Sequence, residues 1–109
     1  MSFDIANLSP EETGTGVYIH IFQDIDRHSK HGPRIKVFPG KPHAGNATTI
    51  TVPTNSSEKP RVVGEVTVKR ETLNRALRFV ELNWQSLALY WAIPEFGTKT
   101  LLEELRKVR

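Results

Sequence analysis

The chain has 109 residues, 38% of them hydrophobic and 25% charged, which suits one foldable domain with a modest core and excludes a disordered chain. It has no cysteine, so disulfides, thiolate catalysis and Cys-based zinc sites are excluded; no apolar run approaches the ~18 residues of a membrane-spanning helix. The net charge of +3 is unevenly spread: residues 1–26 carry five acids and no Lys or Arg, whereas residues 27–57 carry five bases and no acid.

Residues 1–14 read as a flexible leader to a single α+β domain over residues 15–109. Within the leader, Ser9-Pro10-Glu11-Glu12 has the order of a helix start, with Ser as N-cap, Pro at the first position and Glu at the third; Gly14 and Gly16 limit it to one turn. The leader lacks the basic and apolar stretches of an export signal, so a cytoplasmic location is expected. Gly16–Gln23 is the first predicted strand. Its two faces, Val17/Ile19/Ile21 and Tyr18/His20/Phe22, are both partly apolar, which predicts a central position with His20 as a half-buried packing residue.

After the polar connection Asp24–Pro33, Arg34–Phe38 forms the second predicted strand, with Ile35 and Val37 inward and Arg34, Lys36 and Phe38 on the opposite face. Ala47–Val52 and Val62–Val68 are the third and fourth, separated by the hydrophilic loop Pro53–Pro60. A long helix then covers Thr72–Trp91. Leu73, Leu77, Val80, Trp84, Leu87 and Trp91 form its main apolar side, and Phe79, Leu82 and Leu89 a second stripe. The spacing makes Trp84 and Trp91 core residues rather than stacking platforms. Pro94 ends this helix, and Thr100-x-x-Glu103 has the pattern of a capping box opening a last one, whose Leu101, Leu105 and Val108 are expected to cover the second stripe. Strands followed by helices predict an α+β fold: a four-stranded, mainly antiparallel sheet followed by one long and one short C-terminal helix.

Two segments carry a family resemblance. Arg27–Val37 (RHSKHGPRIKV) resembles the His-x-Pro-Pro-x-Ile/Phe-x-Val segment of a large family of small bacterial proteins classed as a domain of unknown function. Ala76–Trp91 is similar to that family's helix, with Phe79, Val80, Asn83, Leu87 and Trp91 at the matching positions, and Val62-Val63-Gly64 resembles the strand before it. The resemblance spans residues 17 to 92. It implies an α+β fold and a gene encoded beside a second small protein, in the manner of toxin–antitoxin pairs, with that second protein as a cognate partner. Gly32 replaces the second proline, and Arg34 and Lys36 replace a His-x-His pair common in the family, so no metal or acid–base role resting on that pair carries over.

The densest polar cluster is Asp24, Asp26, His28 and His31, with Lys30 and Arg34 beside it. Its cationic neighbours oppose a metal, and no fixed ligand spacing occurs, so no metal or cofactor is expected. His28 and His31 have the chemistry of a metal-free acid–base pair, with Lys30 or Arg34 to stabilise a phosphorane. Arg27, Lys30, Arg34, Lys36, Lys41 and His43 form a basic region suited to nucleic acid or an acidic partner; a protected strand edge is the plainer reading of the same cations. The expected function is therefore association rather than catalysis: a small bacterial binding protein of a toxin–antitoxin-like or mobile-element gene pair, acting off the membrane. A small ribonuclease toxin and a phage- or plasmid-borne inhibitor of a host complex are the alternatives. The pattern does not specify an oligomeric state.

Overall fold

The computed structural model describes residues 5–23, 32–40, 46–93 and 95–108. Along them run β1 (Ile5–Leu8), α1 (Pro10–Thr13), β2 (Ile19–Phe22), β3 (Arg34–Val37), β4 (Thr48–Thr51), β5 (Val62–Val63), α2 (Arg70–Ala92) and α3 (Thr98–Glu104). The strands form one antiparallel sheet in the order β1-β2-β3-β4-β5, each paired with its neighbour in sequence. The α+β class, the antiparallel sheet and the long and short C-terminal helices are as predicted. The number of strands is not: the sheet has five among the described residues, not four.

The additional strand comes from the segment read as a flexible leader. Ala6 and Leu8 are fully buried and pair with Ile21 and Ile19, while Ile5 and Asn7 are exposed. Two inward apolar residues are too short a pattern to announce a strand; β2 supplies the rest of the hydrogen-bonding template. The helix start behind β1 forms as predicted. Ser9 N donates to Glu12 Oε1 at 2.9 Å and Glu12 N donates to Ser9 Oγ at 3.2 Å, a reciprocal capping box. One turn later Gly14 takes up φ +75°, and its N–H closes on Pro10 O at 2.9 Å.

The inner face of the sheet carries Ala6, Leu8, Ile19, Ile21, Ile35, Val37 and Ile50, all fully buried in one cluster with α2. The strand expected over Val62–Val68 is only Val62–Val63, because Gly64 turns the chain at φ +81°. The following segment is tied back through Thr48, whose Oγ1 accepts from Thr67 N at 2.8 Å and shares a hydrogen bond with Thr67 Oγ1 at 2.8 Å.

In α2 the buried residues are Ala76, Phe79, Val80, Asn83, Leu87 and Tyr90. Leu73, Leu77, Trp84 and Trp91 are only half-buried. At ~100° per residue the buried arc is therefore rotated by roughly 70° from the side that the apolar pattern marks. Two polar residues account for the rotation, because each is hydrogen-bonded inside. Asn83 Nδ2 donates to Phe79 O and to Arg106 O, both at 2.9 Å, and Asn83 Oδ1 accepts from Arg106 N at 2.7 Å. Tyr90 shares a hydroxyl hydrogen bond with Thr98 at 3.1 Å. A buried polar group that is satisfied costs little, so both sit in the core despite reading as polar.

The final helix begins at Thr98 with Gly97 as N-cap and no side-chain cap, so Thr100 and Glu103 lie inside it rather than opening it. Beyond it, residues 105–108 run without helix or strand to α1, where Val108 N donates to Thr13 O at 2.9 Å. Leu101 and Val108 are buried, and Leu105 and Val108 border Leu82, but the second stripe is covered only in part: Phe79 is fully buried, whereas Leu82 and Leu89 each remain 42% exposed, and Ile93 40%. Asn83 draws the tail toward α1 and leaves that flank of α2 open.

The connection before β5 is internally organised. Asn55 Oδ1 accepts from Ser57 N at 3.0 Å and from Glu58 N at 3.2 Å, and residues 54–59 are all exposed. Replacing Thr54–Lys59 by a two-residue Asn-Gly turn is expected to shift the melting temperature by no more than about 4 °C, the equivalent of about 1 kcal/mol, since loop-closure entropy varies slowly with length. A thermal melt checks this, and aggregation on expression is the contrary result.

Candidate nucleic-acid interface

The pleat of β3 sends Ile35 and Val37 into the core and leaves Arg34 and Lys36 on the other face of the sheet. Lys36 is exposed and stands between His20 on β2 and Thr49 on β4. Arg34 is half-buried and pairs with Thr51; its Nε is buried and makes no hydrogen bond among the described residues. Phe38 continues this face. Its N–H donates to Tyr18 O at 3.1 Å, and its ring meets His20 edge-on, with centroids 4.7 Å apart at 66°. His20 is thus a packing residue, and more deeply buried than predicted, at 4% exposure.

The register adds a cation that the sequence reading passed over. Thr51 N donates to Arg61 O at 2.9 Å, and Arg61 N donates to Thr51 Oγ1 at 3.0 Å, which extends the β4–β5 pairing by one residue. Arg34, Thr51 and Arg61 therefore lie side by side across three strands, on the same face as Lys36. Lys59 and Arg61 also line a shallow depression of about 460 Å³ with Gly32, Pro33 and Thr51, at the end of β3 where Arg34 begins. Among the described residues Glu58 is the one acid on its wall. The signal that finds Arg61 is hairpin arithmetic: once Thr49 pairs with Val63, Thr51 must pair with residue 61.

Of the predicted basic set, the structure brings Arg34 and Lys36 together. Arg27, Lys30, Lys41 and His43 lie outside the described residues, as do His28 and His31 of the alternative acid–base pair. Among the described residues no three His, Cys, Asp or Glu side chains converge as metal ligands, and no helix is long and apolar enough to cross a membrane. Chemically, the described face offers cations on a hydrogen-bonded sheet beside threonine hydroxyls. That is the equipment for holding anionic oxygens by charge-assisted hydrogen bonds. No family model, curated protein or solved structure matches the chain.

Proposed function

We propose that this is a small bacterial binding protein, one member of a toxin–antitoxin-like or mobile-element gene pair, which contacts nucleic acid through the outer face of its sheet. The observation that carries the reading is the clustering of Arg34, Lys36 and Arg61 on one face of the sheet. Strand geometry sets Arg34 and Lys36 about 7 Å apart along β3, and Arg34 and Arg61 about 10 Å apart across two strand spacings. Cations at such intervals engage successive phosphates rather than one. Among the described residues no helix or ribbon projects from the face to read base edges, so weak sequence preference goes with this mode of contact.

The test is salt dependence. Three phosphate contacts give a log–log slope of affinity against salt of roughly −3 for duplex DNA and −2 for a single strand. Arg34→Ala with Lys36→Ala should lower that slope by about two and weaken binding to all sequences alike. Stability should change by less than about 1 kcal/mol, because neither side chain is in the core. Fluorescence anisotropy on duplex DNA, single-stranded DNA and RNA reads this directly. Absence of binding at low salt up to tens of micromolar removes nucleic acid from the proposal, and the face becomes a docking surface for an acidic protein, as the inhibitor reading requires.

A further inference from the structure

The open flank of α2 is an apolar feature that neither the core nor the basic face uses. Leu82, Leu89 and Ile93 are exposed at 42%, 42% and 40%, and helical spacing puts them in one line, with Arg78 one turn before Leu82. The two ends of this line differ in shape and charge. At the Arg78 end a groove of about 580 Å³ opens between α2 and the C-terminal tail, with a floor of Leu82, Leu105 and Val108 and a rim of Arg78, Arg106 and Lys107. At the other end Ile93 is exposed at the helix terminus, and the exposed acid Glu95 lies two residues beyond it.

We infer that this flank is a self-complementary interface through which two copies of the chain associate, their α2 helices antiparallel. A two-fold axis passing between Gln85 and Ser86 sets Leu82 of each copy against the partner's Leu89. It also sets the Arg78 end against the partner's Ile93. Ile93 then enters the groove, and the partner's Glu95 reaches the three cations of the rim. Ser86, small and near the axis, lets the helices approach. Glu81 borders Arg78 and Glu104 borders Arg106, which leaves Lys107 the rim cation without an acid beside it on these walls; a parallel arrangement would set Arg78 against Arg78 and Glu95 against Glu95, so charge favours the antiparallel one. The flank is separate from Arg34, Lys36 and Arg61, so this inference and the proposed function stand or fall apart.

Three apolar side chains a copy fall below a standard interface, so the dimer should be weak, with a dissociation constant on the order of tens of micromolar. Sedimentation equilibrium on the full chain, from about 5 to 500 µM, should show the mass rising from 12.4 kDa toward twice that value. Leu89→Glu should raise the dissociation constant at least ~100-fold while leaving the circular dichroism unchanged, since the substitution is at an exposed site. Glu95→Arg should weaken association about ten-fold, and adding Arg78→Glu should recover several-fold of that loss. A wild-type mass of 12.4 kDa throughout, or a Leu89→Glu variant that dimerises as well as wild type, overturns the interface. Failure of the charge exchange to recover affinity overturns the antiparallel pairing.

Discussion

Phe79→Ala is expected to lose about 3–5 kcal/mol of stability, the range for truncating a fully buried aromatic whose surroundings only partly collapse. Phe79 is 0% exposed and sits in the cluster with the inner residues of the sheet, so the cavity would open in the middle of the only core among the described residues. Trp91→Ala should cost much less, on the order of 1–2 kcal/mol, because its ring is half-buried at the edge of that arc. This reverses the ranking that the apolar spacing suggests, where Trp91 closes the main stripe and Phe79 belongs to the lesser one. Paired denaturant melts with unchanged m-values decide it: a larger loss at Trp91 than at Phe79 would mean that α2 presents its other side to the sheet.

Gly14→Ala should be the most damaging change among the described glycines, about 2–4 kcal/mol. Two costs combine. The backbone holds φ +75°, a left-handed conformation that carries a penalty of about 1 kcal/mol for alanine. The added Cβ would also stand 2.9 Å from Val108 N and closer still to Val108 O, and backbone cannot swing aside as a flexible side chain would. Gly16 is the control. It has φ +83°, but a Cβ there meets nothing within 4 Å, so Gly16→Ala should carry the conformational penalty alone. If the two variants melt alike, the tail yields to the methyl group without loss, and its contact with α1 contributes nothing to stability.

How far the fold was legible follows from what a pattern can register. β2, β3 and β4 announce themselves because inward Ile and Val alternate with outward residues over at least two periods, and α2 because twenty residues pass without Gly or Pro. β1 escapes because it shows the pattern only at Ala6 and Leu8. The side of α2 that faces the sheet is misread because hydropathy counts Asn83 and Tyr90 as outward, whereas the hydrogen bonds that admit them to the core come from Arg106 and Thr98, many residues away or beyond the helix. Arg34 and Lys36 were readable as a shared face from alternation alone. Arg61 was not, since its place beside them depends on the register across a long loop. The α2 flank was misjudged for a related reason: Leu82 and Leu89 look like a stripe to be covered, and only the path of the tail shows that it reaches Leu82 from one side and leaves both leucines 42% exposed.

The connectivity of the sheet has a kinetic side. Every strand pairs with the one next to it in sequence, so each pairing closes only a short stretch of chain, and the meander can assemble by successive hairpins. The clasp between Thr13 and Val108 is the opposite case, since almost the whole molecule lies between its two halves. Joining them carries the full loop-closure entropy unless the sheet and α2 have already drawn them near. The clasp is therefore a late event that follows the core and does not direct it.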